Sequence, residues 1–216
     1  MTNLSTRFQI RERNPVSGRK LHSPMPETMQ QNLERAHTLL AEEFLGVTTD
    51  GRVVPGLYQL KKTGLSIDPI KNAANTFLAS LSSEQNDDAS FEVDSIAWRQ
   101  WSNIHPFLMR HGAFLDSLTP AQRDNAMTLL KESLSPKGYQ TARDIMRLNE
   151  SILELTGKTE EYGEWLYWMS LMGTPSSDEP WGWQIDGHHL IINYFMVNGR
   201  AVMSPVFMGS EPIDAD

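Results

Sequence analysis

The sequence contains no cysteine. That absence removes a disulfide framework, thiolate zinc sites, iron–sulfur clusters and a cysteine nucleophile together. Long hydrophobic runs are missing as well: no stretch approaches the roughly 18 consecutive apolar residues that a transmembrane helix needs. The opening residues, Met1 to Arg11, carry charges where a secretory signal has an apolar run, so no signal is expected. Positive charge is in deficit, with 19 Lys and Arg against 27 Asp and Glu and a net charge of −8. That balance disfavours a surface that coats nucleic acid or anionic lipid. A cytoplasmic protein with neither nucleic acid nor membrane as partner is the expectation. No serine sits in a G-x-S-x-G elbow, so a hydrolase triad has no anchor. Gly173-Thr-Pro-Ser-Ser177 lacks the lysine and glycine spacing of a phosphate loop and reads as a turn.

What remains is ordinary globular material. The chain has 216 residues, 39% hydrophobic and 21% charged, enough to form one domain without a metal or disulfide staple. Residues 1–24 hold Arg7, Arg11, Arg13, Arg19 and Lys20 with few apolar anchors, and read as a loose arm. From Met25, the positions Met29, Leu33, Ala36, Leu39, Leu40 and Phe44 recur at steps of three and four, the spacing of an amphipathic helix that Gly46 would end. Val47 to Val54, with strand formers around Asp50-Gly51, predicts a hairpin. Further helices are predicted over 69–81, 120–133 and 136–155, the last ended by Gly157.

Two segments echo each other: Phe77 to Gln85 and Phe114 to Gln122 share F-L-x-S-L-[ST]-x-x-Q. Ser82 with Gln85 and Thr119 with Gln122 have the spacing of a reciprocal capping box, so the echo reads as similar helix starts, not as a duplicated binding module. After Tyr162 the character changes. Trp165, Tyr167, Trp168, Trp181 and Trp183 are followed by Leu190 to Val197, an aromatic and β-branched density that indicates sheet. The fold class is therefore α+β: a single domain over 25–216, helical over 25–157, packed on an antiparallel meander over 162–210.

Two turn signals set an expected register. A turn at Asn198-Gly199 pairs Val197 with Arg200, Phe195 with Val202, Asn193 with Ser204 and Ile191 with Val206. A turn at Asp186-Gly187 pairs Ile185 with His188, Gln184 with His189 and Trp183 with Leu190. One face then collects Trp181, Trp183, Ile185, His188, Leu190, Ile192, Tyr194, Met196, Met203 and Phe207 and should pack on the helices. The other collects Gly182, Gln184, His189, Ile191, Asn193, Phe195, Val202, Ser204 and Val206, with the missing side chain of Gly182 leaving space. Pro205 marks the third strand as an edge or a bulge.

His188-His189 is the chemical candidate. On a regular strand the two imidazoles point to opposite faces and cannot share a metal; a bulge after Gly187 would bring them together. The plain expectation is structural histidines satisfied by neighbouring backbone; beside it stand two chemical readings. In one, His188 and His189 are metal ligands for a divalent transition metal. In the other, His189 transfers a proton beside Gln184 and Asn193, which orient a small-molecule substrate, with Ser204 on the same face.

Several segments resemble the bacterial domain-of-unknown-function 3500 family. They are Val47-Thr-Thr-Asp-Gly51, Trp101-Ser-Asn-Ile-His-Pro106, Arg110-His-Gly112, Leu118-Thr-Pro-Ala-Gln122, Asp144-Ile-Met-Arg-Leu-Asn149, Gly173-Thr-Pro-Ser176, Trp181-Gly-Trp183, Gly187-His-His-Leu190 and Phe207-Met-Gly-Ser-Glu-Pro212. The resemblance implies no established activity. It recommends Arg110 and Arg147 as groups that would hold an anionic part of a substrate. It also implies that longer relatives continue past the Gly-Ser-Glu-Pro segment into a second histidine-bearing region, so that some partner ligands would lie outside this chain. The leading expectation is thus a small-molecule enzyme with a His-centred pocket on the terminal sheet. Its rival is a non-catalytic binding or oligomerisation module, a homo-oligomer included.

Overall fold

A computed structural model describes residues 27–46, 48, 50–52, 54–55, 64, 66–103, 110–159 and 161–211. The arm expected over 1–24 lies outside the described residues. Helix α1 spans Glu27–Ala41, shorter than its apolar stripe, and buries only Met29 and Leu40, while Leu39 and Phe44 stay exposed. The hairpin expected at 47–54 is not found among the described residues there. Thr48, Asp50, Gly51 and Arg52 form a bend in which Thr48 Oγ1 donates to Leu45 O and accepts from Gly51 N. Val47, Thr49 and Val53 of the expected hairpin lie outside the described residues, and at the described ones local side-chain bonds hold the backbone in the bend.

The remaining helices follow their start signals. Helix α2 (Asp68–Ser80) opens with a proline in its first turn, and α3 (Ser83–Ala89) and α4 (Pro120–Ser133) open with complete capping boxes on Ser82/Gln85 and Thr119/Gln122. The two boxes meet in space: Gln122 Nε2 donates to Gln85 Oε1 at 2.8 Å and to Ser80 O at 2.8 Å. The echo is therefore a paired junction of helix starts. Helix α5 (Pro136–Thr156) is capped by Ser135 and ends at Gly157, whose φ of 66° suits a left-handed C-cap.

The sheet contains β1 (Ser90–Phe91), β2 (Ala113–Phe114), β3 (Tyr167–Met172), β4 (Trp181–Gly187), β5 (Leu190–Val197) and β6 (Arg200–Met208), in the order β1-β3-β4-β5-β6 with β2 also on β3. β3 to β6 form the expected antiparallel meander. The parallel pairing of β1 with β3 makes the whole sheet mixed. One face packs on the helices: Trp181, Trp183, Ile185, Ile192 and Met196 join Phe77, Leu129, Leu130 and Met146 in the core. Burying side chains of this size contributes about 1.5–3 kcal/mol each. Among the described residues, no helix is long and apolar enough to cross a membrane.

The β4–β5 register differs from the expected one. Gly187 pairs with Leu190, Trp183 with Tyr194 and Gln184 with Asn193, so the two-residue turn is His188-His189 rather than Asp186-Gly187. Gly187 serves a different need from φ freedom: a Cβ there would meet Tyr167 Cδ1 at 2.2 Å, so the glycine lets the ladder continue against that ring. The turn centre moves by two residues, an even step, which leaves every β4 and β5 side chain on its expected face.

At β5–β6 the Asn198-Gly199 turn forms as expected, with φ of 49° and 70°, and Val197 pairs with Arg200 and Phe195 with Val202. Beyond Tyr194–Met203 the register slips by one, so Ile192 pairs with Val206 and Ile191 with Phe207. Asn193 therefore does not pair with Ser204. The extra residue sits at Ser204-Pro205, whose peptide bond is cis, and Val206 and Phe207 exchange faces relative to the uninterrupted ladder. β6 is both an edge strand and a bulged one.

Candidate metal centre

The turn between β4 and β5 places both imidazoles at one point. His188 is buried at 3% exposure, and His189 adopts a φ of 57°, a left-handed conformation uncommon for a side chain that is not glycine. That backbone reversal, absent from a regular strand, swings the two rings to a centroid separation of 4.0 Å. The expectation that they divide between opposite faces is corrected: they converge. Glu211 completes the group. Its Oε2 lies 2.8 Å from His189 Nε2 and 3.3 Å from His188 Nε2. One ligating atom from each of the three residues falls within 4.8 Å of the others.

Glu211 arrives there because the chain leaving β6 stays on the sheet. Leu190 pairs with Met208, and Gly209 N then donates to His189 O at 2.9 Å. Around the centre, Tyr167 Oη donates to His188 O at 2.9 Å and Asn149 of α5 meets His188 Nδ1 at 2.9 Å through Oδ1. The Phe207 ring lies 6.0 Å from that of His189, and the Tyr162 ring 5.6 Å from that of His188. Burial, then the Glu211 charge, holds the Tyr162 phenol above its ordinary value, so it stays protonated.

The rest of the expected pocket face is closed. Gln184 Nε2 donates to Asn193 Oδ1 at 2.6 Å and to Trp98 O at 3.3 Å, while its Oε1 meets His111 Nε2 at 2.7 Å. Asn193 Nδ2 donates to Pro205 O at 3.0 Å. Gln184 and Asn193 are 1% and 2% exposed, so they form a buried seam under the segment before β2 and have no open side toward a substrate. The space left by Gly182 is filled: a Cβ there would meet Tyr194 O at 2.2 Å and Trp98 Cη2 at 2.7 Å.

Asp186 is also buried, accepting from Ser102 N at 3.3 Å. Burial pushes its carboxyl well above the usual range, against the opposing pull of the Ser102 N–H and of Arg110. Arg110, 4% exposed, holds its guanidinium 5.4 Å from the centre of the Trp168 ring. A cation at this distance from an indole face is held by the ring's quadrupole.

Arg147 is exposed on α5 and pairs with Asp144 at 3.4 Å, while Glu150, three residues on, accepts from Glu164 N at 2.7 Å. Ser204 is exposed on the edge strand. The structure thus joins His188 and His189 with Glu211, joins Gln184 and Asn193 with His111, and leaves Arg147 and Ser204 apart from both groups. Glu211 went unrecognised as a member of this cluster although its segment was singled out. The signal was a carboxylate three residues beyond a strand that pairs back to a histidine turn.

A cleft of about 1030 Å³, lined by Asn75, Phe91, Glu92, Asp94 and Gly173 among others, opens at the Met172–Gly182 end of the β3–β4 pair. The histidine turn is at the other end, roughly 17 Å away along the strands.

The family model that matches the chain is described as protein of unknown function (DUF3500) and covers residues 63–216. No curated protein and no solved structure matches.

Proposed function

We propose, for a chain that belongs to the DUF3500 family, a metal-dependent small-molecule enzyme centred on His188, His189 and Glu211. The observation that carries this reading is the clustering of the three ligating atoms within 4.8 Å at a turn whose second residue is held in a left-handed conformation. Imidazole and carboxylate together suit a divalent transition metal, and three protein ligands leave coordination positions for water and a substrate oxygen. A metal held this way would polarise that oxygen or activate the water. The carboxylate lies on the exposed side, with Glu211 49% and His189 26% exposed at the side chain, which gives a small molecule access.

Protein purified without a histidine tag and titrated with Zn²⁺, Co²⁺ and Mn²⁺ is expected to take up about one equivalent of at least one of them. His189→Ala and Glu211→Ala are expected to lose that uptake. A Co²⁺ form whose visible spectrum shifts on adding azide would show an open coordination position. Less than about a tenth of an equivalent of every metal overturns the reading.

One observation favours an oligomerisation module instead. β6 exposes Val202, Met203, Val206, Phe207 and Met208, each at 36% or more, along an edge that carries Arg200 as its one charged side chain. Natural edge strands are ordinarily blunted by charge. In this reading a second copy of the chain pairs antiparallel with β6, which sets Arg200 of each copy beside the Glu211 end of the other. Light scattering decides it: a dimer that Val202→Lys dissociates supports the module, and a monomer at high concentration removes it.

A further inference from the structure

We infer that Asn149 is a positioning residue for this centre, fixing which nitrogen of His188 presents its lone pair to the cluster; the inference rests on the metal reading above. Asn149 is 1% exposed on α5, and its Nδ2 donates to Gly163 O at 2.8 Å. That bond sets the orientation of the amide, because a carbonyl oxygen only accepts. Oδ1 is consequently the atom that faces His188 Nδ1 at 2.9 Å, and an amide oxygen can only accept there. Nδ1 carries the hydrogen. In the neutral ring the lone pair is then on Nε2, the atom 3.3 Å from Glu211 Oε2 and aimed into the cluster.

The rest of the residue is held from other sides. Tyr167 Oη donates to its carbonyl, and the rings of Tyr162 and His189 lie against the imidazole at 5.6 and 4.0 Å. A flipped ring would give up the Asn149 bond inside a buried site, so one tautomer and one orientation persist without metal. Nε2 then meets Glu211 as an acceptor facing an acceptor, an arrangement that a cation relieves. The chain Gly163 O, Asn149, His188 is an amide version of the outer-sphere partners that orient metal-binding imidazoles elsewhere. No spacing rule in the sequence links Asn149 to His188, 39 residues later.

Long-range ¹⁵N–¹H correlation of the metal-free protein reads the tautomer directly. His188 is expected to show a protonated Nδ1 and a bare Nε2, and Asn149→Ala to lose that preference. Zn²⁺ dissociation constants supply the second readout. Asn149→Ala is expected to weaken binding by about 10–100-fold, whereas Asn149→Asp, which keeps an acceptor for Nδ1–H, recovers most of the affinity although its bond to Gly163 O is gone. If both variants only lower the melting temperature and bind Zn²⁺ as tightly as the parent when folded, Asn149 supports the loop at Gly163 and the inference falls while the metal reading stands. A parent protein that takes up no metal removes both. A neutral His188 protonated at Nε2 and bare at Nδ1 in the metal-free parent overturns the inference alone; a ring protonated at both nitrogens keeps the Asn149 bond and is read again at higher pH.

Discussion

The buried seam around Gln184 and the turn around His189 are built from the same kinds of group, amides and imidazoles on one sheet, yet they end in opposite states. In the seam both ends of the Gln184 amide are bonded, to His111, Asn193 and the Trp98 carbonyl, and the group is shut beneath Trp98. At the turn, two imidazole nitrogens and a carboxylate oxygen crowd one point that reaches the surface. Buried polar groups that satisfy one another rigidify a fold, whereas clustered lone pairs need a cation or proton from outside. On the metal reading proposed above, the seam serves stability and the turn serves chemistry. The same strand β4 serves both, with Gln184 in its middle and the histidines just beyond its end.

The largest way to break this contrast is Gln184→Leu. It leaves His111 Nε2, Asn193 Oδ1 and the Trp98 carbonyl without their partner in a dry site. At about 1–3 kcal/mol per stranded group, a loss of at least about 3 kcal/mol is expected in urea unfolding. The surviving folded protein is expected to bind metal with unchanged stoichiometry. If metal uptake disappears with Gln184 while the protein stays folded, seam and turn are one site and the separation drawn here is wrong.

How far each region was readable follows from the same contrast. Helix starts were legible because a capping box is local: Ser82 with Gln85 and Thr119 with Gln122 need only a three-residue spacing. Strand faces were legible because the period of two survives an even displacement, which is why Gln184 and Asn193 share a face even though the turn was misplaced. The turn itself was not legible. Asp186-Gly187 has the right residues for it, but Tyr167 occupies the space beside Gly187 and the Ser102 amide holds Asp186, both from segments distant in sequence. The bulge was legible as a position, from Pro205, but not as the one-residue slip that exchanges Val206 and Phe207. Of the centre, the two histidines stood out. Glu211 did not, because its place depends on that slip and on Gly209 bonding back to His189.

A smaller effect sharpens the contrast from the other side. His189→Gly puts the one residue with no Cβ at a φ of 57°, relieving a conformation that costs an ordinary side chain about 1–2 kcal/mol. Against this stand the freedom glycine gains in the unfolded chain and the lost contacts with Phe207 and Glu211. The net change in stability is expected to lie within about 1 kcal/mol of the parent, with the sign toward stabilisation. Metal binding is expected to vanish. That pair of outcomes would mean that the disfavoured conformation is kept for the ring it carries. A loss beyond about 2 kcal/mol would instead make His189 part of the folding machinery.

The smallest effect is expected at Arg147. Its side chain is 60% exposed and its partner Asp144 53% exposed, at 3.4 Å on the same helix. A pair so open to water contributes a few tenths of a kcal/mol, and Arg147→Ala should shift the unfolding midpoint by no more than that. Two residues along the same helix, Asn149 is buried and reaches His188, so α5 contributes to the centre through its amide and not through its cation. Zn²⁺ affinity is accordingly expected to be the same in Arg147→Ala and the parent. A drop comparable to that in Asn149→Ala would show that the exposed side of α5 also acts on the centre. The division between a closed, load-sharing interior and one reactive turn would then have to be redrawn to include the helix surface.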